Sequence, residues 1–438
     1  MKKVVVFGAG LVSRPLVRYL LDHGFAVSVA SRTVSKAEKL IDGHPNGLAA
    51  TVDAGDEAAI RGFVEQADLA ISLLPAPKHP VVARACLDLG KHMVTTSYVS
   101  PEMRALDAEA KEKGLLLLNE IGVDPGIDHM SAMQVIHAEQ GRGGKLIGFS
   151  SWCGGLPAPE ANDNPFGYKF SWSPRAVLVA ARNPARYLTA GQLTEVPGEA
   201  LFAAPATVEI PELGTFEGYP NRDSVSYLDT YGFDGQQVVS MFRGTLRNQG
   251  HCQLYTQLIA LGLIEASPEH DTAGLSRRAF MTKLLGGPPE KTIPAKLGIP
   301  AAESPIAALE YIGMLSDDPV GHERISTLDL MAERMAAALS YRPGERDMLV
   351  MRHDLTFEYA ADRRERITAI MVDFGIPDGD SSMARTVSLP AAIGARMVLE
   401  GQIQLRGVHI PIEPNIYNPV LDELVKLGIA FSESRSSL

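Results

Sequence analysis

The sequence predicts an α/β fold in which a Rossmann-type dinucleotide-binding domain is followed by a second α/β domain and a helical subdomain. A run of valines that breaks at a glycine turn predicts the first, and strand and helix patterns alternate from there to about residue 125. The alternation then gives way to Gly/Pro-rich loops with short strands up to about 250, and to a helical pattern between about 254 and 341. At 438 residues the chain exceeds what one hydrophobic core usually serves.

From Lys3 to Phe7 the β-rich run stops at Gly8-Ala9-Gly10, and apolar residues recur at Leu16, Tyr19 and Leu20, which gives strand, tight turn and helix. Further β-rich runs follow at Phe25–Ala30, Ala67–Leu74, His92–Thr96 and Gly114–Asn119, with helical segments between most of them. Such alternation indicates a parallel sheet with helices on both faces. Beyond residue 125, Thr207–Ile210 reads as a strand and Ser173-Pro174 as a helix start, because serine can cap free amides and proline at the first helical position forfeits no bond. Ser304-Pro305 repeats that signal, and Leu328, Met331, Met335 and Leu339 fall on one helix face. Between Asp347 and Phe374, β-rich stretches flank a hairpin signal at Ala360-Ala361-Asp362-Arg363, and a helix is expected from near Ser388 to just before Gly401.

Apolar residues at 45% and charged residues at 21% describe a folded globular chain. A formal charge of −11 argues against nucleic acid or anionic lipid as partner, while leaving room for a small anion in a local basic pocket. Cys86, Cys153 and Cys252 lack the paired spacing of a zinc site or a disulfide framework, so no metal is expected and a reducing cytoplasm fits best. The apolar start from Lys3 to Val12 meets Ser13, Arg14 and Pro15 too soon for a signal peptide, and no run of about 18 apolar residues occurs, so no membrane partner is expected.

Gly8-Ala9-Gly10-Leu11-Val12-Ser13 nearly matches the dinucleotide fingerprint, in which one glycine makes the turn and the next lets backbone approach a pyrophosphate at a helix N-terminus. Ser13 replaces the third small residue. The bland alternative is an ordinary strand–helix turn. About twenty residues on, Ser31-Arg32-Thr33 stands where an enzyme preferring NAD shows an acid; a guanidinium fork there suits the extra phosphate of NADP, unless Thr33 or Ser35 merely caps the next helix. Later strand ends carry Ser72-Leu73-Leu74-Pro75, Thr95-Thr96-Ser97-Tyr98 and Asn119 to Gly126. Asp124 before Pro125 reads equally as a helix cap or as chemistry, and Tyr98 as a core aromatic or a site residue. Farther on, Asn221-Arg222 and Arg243-Gly244-Thr245-Leu246-Arg247 bring three arginines near turn formers, which suits carboxylate recognition, although singly each is commonly a surface residue. Cys153 is a candidate pocket thiol or an inert buried cysteine, and His79, His129 and His251 show no partner identifiable from sequence.

The chain resembles the saccharopine reductases, the glutamate-forming saccharopine dehydrogenases of lysine metabolism. The resemblance covers nearly the whole length and rests on Val94 to Tyr98, Asn119 to His129, Cys153 to Glu160, Gly167 to Ser173, Tyr219 to Ser224 and Arg243 to Arg247. It implies a Rossmann domain over 1–125 completed by about 385–438, a mixed-sheet α+β domain over 126–253 and 342–384 that binds substrate and supports dimerisation, and a small helical subdomain over 254–341. The implied reaction is NADP-dependent: glutamate and aminoadipate semialdehyde condense to an imine, which is reduced to saccharopine, or the reverse. It further implies cofactor contacts from Gly8, Gly10, Leu11, Val12, Ser31, Arg32, Thr33, Asp53, Leu74, Thr96, Ser97, Val123, Asp124 and Pro125. Substrate contacts would come from Ser97, Tyr98, Asp124, Asn221, Arg222, Arg243, Thr245 and Arg247, with Tyr98, Asp124 and Cys153 at the reacting centre and Asp124 with ordered water moving protons. The chain departs from the family pattern at Ala76 and Asn248, each standing where an aromatic residue is usual, changes expected to alter the substrate pocket.

Two competing readings keep part of this picture. A carboxynorspermidine-type dehydrogenase would reduce a polyamine-derived imine, for which acidic residues suit better than three arginines. A non-catalytic NADP sensor would keep the first domain and lose turnover.

Overall fold

The computed structural model describes residues 1–233 and 238–438. They group into two compact units, one of Met1–Lys145, Tyr359–Asp362 and Ala369–Glu433, the other of Leu146–Glu358, Arg363–Thr368 and Ser434–Leu438.

The first unit is built on strands β1 (Lys3–Phe7), β2 (Ala26–Ser31), β3 (Gly47–Thr51), β4 (Leu69–Ser72), β5 (His92–Thr95) and β6 (Leu116–Leu118). With the short strand Gly407–His409 at the edge, the order is Gly407–His409, β6, β5, β4, β1, β2, β3, and every neighbouring pair is parallel. Val4–Phe7 and all of β4 are buried, as strands covered on both faces require. The chain runs outward in opposite directions from β1, so a topological switch point lies between β1 and β4, and ligand crevices form outside the carboxyl ends there. The helix Arg14–Asp22 buries Leu16, Val17, Leu20 and Leu21.

Three sequence expectations need correction here. β3 was not anticipated: its Gly-Leu-Ala-Ala-Thr sequence lacks β-branched and aromatic residues except at its end, and as an edge strand it has no fully buried residue. The helix expected from near Ser388 begins at Ser382, where the Ser381 hydroxyl accepts the Ala384 amide, and Pro390 lies inside it. Ser388 instead hydrogen-bonds the Val12 carbonyl behind the glycine turn. The β-rich run Ala67–Leu74 forms a strand only over Leu69–Ser72, since its ends belong to loops.

The second sheet, most of which belongs to the second unit, has the order Ala206–Ile210, Gly214–Pro220, Ser240–Arg247, Lys145–Pro157, Asp347–Glu358, Arg364–Phe374, Phe431–Ser437, with Ala185–Thr189 pairing with Ser240–Arg247 and with Gln192–Val196. It is mixed: Ser240–Arg247 runs parallel to Lys145–Pro157 and antiparallel to Gly214–Pro220. Helices Pro174–Ala180, His251–Ala260, Arg277–Leu285 and Thr327–Ala338 share one core with Phe166, Tyr168, Phe202 and Tyr219. Ser173 and Ser304 precede helices as expected but neither caps one; Ser304 donates to the Ala301 carbonyl at 2.6 Å instead. The hairpin turns through Ala361 and Asp362, both left-handed, with φ of 59° and 56°. No helix among the described residues is long and apolar enough to cross a membrane.

Candidate functional site

In the first unit, the chain leaves β1 through Gly8, whose φ of 112° side chains rarely adopt; a Cβ there would lie 3.0 Å from the Leu73 carbonyl oxygen. A Cβ on Gly10 would meet nothing within 4 Å, so its backbone stands open to approach. Ser13 is fully buried, and its hydroxyl accepts the Gly10 amide at 3.1 Å. The departure from the fingerprint therefore closes the turn. Leu11 is exposed and Val12 half-buried just before the helix whose N-terminal amides and dipole favour an anion. Ser31 ends β2, and Arg32 and Thr33 beyond it are exposed. Thr33 occupies the cap position of helix Val34–Ile41 without making the capping bond, so capping does not account for it. Asp53, exposed after β3, accepts the Gly55 amide at 2.7 Å.

The carboxyl ends of β4, β5 and β6 bring Leu74, Thr96, Ser97, Tyr98, Val123, Asp124 and Pro125 into the same unit. The Tyr98 hydroxyl donates to Asp124 Oδ1 at 3.0 Å. Asp124 caps no helix: the next one starts at Ile127 behind Gly126, after a cis Asp124–Pro125 peptide. It is Asp128 that accepts the Gly126 and His129 amides, at 2.6 and 2.8 Å. Gly126 has no substitute, since its φ is 146° and a Cβ would lie 2.1 Å from the Gly122 carbonyl oxygen. Glu120, left-handed at φ 54°, accepts the Val99 amide at 2.8 Å and meets the buried His129 ring at 2.8 Å. His79 sits between Ser72 and Ser97, 2.8 and 2.7 Å from their hydroxyls, and burial lowers its pKa to about 4. Both histidines thus have partners that only folding reveals.

In the second unit, Arg243, Thr245 and Arg247 alternate along one strand and so share one face. Cys153 lies beside Thr245 in parallel register and Tyr219 opposite it in antiparallel register, placing both on that face. The glycine between the first two is dictated by the other face, where a Cβ on Gly244 would lie 2.3 Å from the Trp152 ring. The Asn221 amide donates to the Arg243 carbonyl at 2.8 Å. Arg222 is exposed and left-handed at φ 52°, and does not share the burial of the other two arginines.

Arg243 is 3% and Arg247 7% exposed. The Arg243 guanidinium lies 4.2 Å from the Tyr227 ring centroid, and that of Arg247 lies 5.0 and 5.8 Å from those of Tyr168 and Tyr219. Arg247 Nη1 donates to the Leu246 carbonyl at 2.8 Å, but Nε has no acceptor, and no carboxylate among the described residues pairs with this cation. The carboxylate opposite it in register, Glu217, is engaged elsewhere: its oxygens accept the Gly250 and Cys252 amides at 2.8 and 2.9 Å, at the start of helix His251–Ala260. Burial, reinforced by the positive Arg247, holds the neighbouring His251 neutral with a pKa well below its ordinary value. An unpaired buried guanidinium in an aromatic cage invites an anionic ligand. The cage tyrosines and Glu217 escaped sequence reasoning, although the period of two in Arg243-x-Thr245-x-Arg247 already grouped the face. Of the two departures from the family pattern, Asn248 donates its amide to the Gly167 carbonyl at 2.8 Å, and Ala76 opens an exposed turn ahead of His79.

Comparison with known proteins agrees with both halves. The family model for the saccharopine dehydrogenase NADP binding domain matches residues 4–118, and that for the saccharopine dehydrogenase C-terminal domain matches residues 122–429. The chain is 36% identical over 457 residues to saccharopine dehydrogenase [NADP(+), L-glutamate-forming] of Schizosaccharomyces pombe, covering 99% of each. It is 36% identical over 450 residues to the mitochondrial alpha-aminoadipic semialdehyde synthase of Mus musculus, covering 98% of this chain but 47% of that longer protein. The solved structure of apo saccharopine dehydrogenase (L-Glu forming) from Saccharomyces cerevisiae superposes over 100% of each chain with a TM-score of 0.89 at 35% identity.

Proposed function

The chain belongs to the saccharopine dehydrogenase family, and from that membership we propose that it is an NADP-dependent oxidoreductase acting on a CH–NH bond, interconverting saccharopine with glutamate and 2-aminoadipate 6-semialdehyde. The observation that carries the substrate class is the buried, unpaired guanidinium of Arg247 on a face shared with Arg243 and Thr245. A substrate with three carboxylates supplies the counter-charge that the protein withholds. A polyamine-derived substrate, with fewer carboxylates, matches the buried Arg247 less well, which disfavours the carboxynorspermidine reading.

A bound NADP would supply the hydride chemistry at the carbon beside saccharopine's secondary nitrogen, as acceptor when oxidised and donor when reduced. The chain's own residues have the following parts. Gly8, Gly10, Leu11 and Val12 cradle the pyrophosphate, Ser31, Arg32 and Thr33 hold the additional phosphate, and Asp53, Leu74, Thr96, Val123 and Pro125 line the rest of the cofactor. Arg222, Arg243 and Arg247 hold substrate carboxylates with Asn221 and Thr245 adding neutral hydrogen bonds, and Ser97, Tyr98 and Cys153 orient the carbon–nitrogen bond. Asp124, held by the Tyr98 hydroxyl, takes the proton released as water adds to the imine carbon and returns it to the departing amine. The protein works in the cytoplasm as a homodimer formed through the second unit.

The test follows nicotinamide absorbance with saccharopine and NADP or NAD in parallel. NADP-dependent turnover yielding glutamate is expected. Cofactor binding without consumption in either direction would leave the sensor reading in its place.

A further inference from the structure

Ser72 and Thr95 end neighbouring parallel strands in direct register, and the Thr95 hydroxyl donates to the Ser72 carbonyl at 2.8 Å. The loop after β4 then folds the first residue of helix His79–Leu89 back between the strand ends. His79 is 2% exposed, with Nδ1 2.8 Å from Ser72 Oγ and Nε2 2.7 Å from Ser97 Oγ. The Ser97 backbone is fixed as well: its carbonyl accepts the Glu120 amide at 3.1 Å. We propose that the Ser72–His79–Ser97 chain fixes the position of the Ser97 hydroxyl and ties its hydrogen-bond polarity to the His79 tautomer, making His79 a positioning residue for turnover. The inference rests on the reading above that Ser97 contacts bound ligand.

The physical argument concerns what a neutral imidazole can offer. It has one N–H and one lone pair, so its two bonds must run in the same sense. With the proton on Nε2, the ring donates to Ser97, which leaves the serine's own hydrogen for an acceptor on the ligand, and Nδ1 accepts from Ser72. With the proton on Nδ1, the ring donates to Ser72 and accepts from Ser97, which leaves the serine lone pairs for a ligand N–H or O–H. The tautomer therefore decides whether Ser97 donates or accepts, and the sense of the Ser72 bond changes with it. No net proton leaves the chain, and no charge forms in a site whose burial opposes it. Packing alone would not require a ring with a hydroxyl at each nitrogen.

The experiment is a double-mutant cycle on saccharopine oxidation in the full-length protein with NADP. Ser97→Ala and His79→Gln are each expected to lower kcat/KM by about tenfold, and His79→Gln to cost nothing further once Ser97 is alanine. Equal losses from His79→Gln in both backgrounds overturn the inference and leave the Ser97 reading standing. An unchanged kcat/KM in Ser97→Ala removes the Ser97 reading and the inference with it. Ser72→Ala, which keeps the imidazole, runs the same cycle should the glutamine variant fold poorly, and is likewise expected to fall silent when Ser97 is alanine.

Discussion

Replacing Arg247 by methionine separates what this residue does for the fold from what it does for a ligand. The guanidinium is 7% exposed and lacks both an acidic partner among the described residues and an acceptor for Nε. Substitution removes the hydrogen bond to the Leu246 carbonyl, worth about 1 kcal/mol net, and contacts with the Tyr168 and Tyr219 rings, worth about 0.5–2 kcal/mol. Against that stands relief of an uncompensated buried charge, several kcal/mol in effective terms. The balance predicts an apparent Tm at or above that of the parent chain, read by calorimetry. Binding moves the other way: a lost charge-assisted contact of about 1.5–3 kcal/mol lowers kcat/KM for saccharopine by roughly 10- to 150-fold. NADP affinity, measured alongside, stays unchanged. A variant that turns over saccharopine normally refutes the assignment of this cation to the substrate, and one whose Tm drops by many degrees refutes the stability argument, since the guanidinium would then be structural.

Gly8→Ala places a Cβ at φ 112° and 3.0 Å from the Leu73 carbonyl, a strain of about 1–3 kcal/mol, so NADP affinity by titration calorimetry should fall by roughly 5- to 150-fold where the turn shifts to relieve it; wild-type affinity would show the turn to be tolerant. Arg32→Asp should cut kcat/KM with NADP by roughly 10- to 150-fold while sparing NAD, and equal effects on both cofactors would remove Arg32 from the phosphate site. His79 makes stability depend on pH. Its pKa falls from the ordinary 6.5 to about 4 on folding, so the unfolded chain binds a proton that the folded chain refuses. The contribution is complete above pH 6.5 and declines as pH falls toward 4, a loss of about 3 kcal/mol at 1.36 kcal/mol per pH unit. Denaturant titrations across that window should show the slope, and His79→Gln should abolish its share.

What could be read from the sequence followed from local pattern. Val4–Phe7 and the glycine turn announce themselves because a central parallel strand is apolar throughout and because only glycine meets φ 112°. β3 did not, because pairing with β2 rather than residue type makes Gly47–Thr51 a strand. Ser388-Leu389-Pro390 imitates a helix start, yet an existing helix absorbs the proline when the serine side chain bonds elsewhere. In the site, Asp124 before Pro125 has the form of a cap, and only the loop closed by Gly122 and Gly126 turns its carboxylate to Tyr98. The partners of His79 and His129 lie 7 and 18, and 9, residues away in sequence, and no periodicity encodes such meetings.

The arginines that looked equivalent in sequence are physically different, and the difference follows from register. Strand alternation sends Arg243 and Arg247 to one buried face, whereas Arg222 stands beyond the end of Gly214–Pro220 in a left-handed turn and is exposed. The chain has 52 acidic residues against 41 Lys and Arg, so carboxylates to neutralise Arg247 are not scarce. One lies opposite it in register and is held by two helix amides instead. Closing that ion pair internally would stabilise the fold and occupy the cation; keeping Glu217 on the amides leaves it available at some cost to stability. A carboxylate that meets Arg247 does so where water is excluded and salt screens little, while one that meets Arg222 does so in solvent, where screening acts over about 10 Å at ordinary ionic strength. On the proposed substrate reading, the buried arginine would govern how long a polycarboxylate stays, and the exposed one how quickly it arrives.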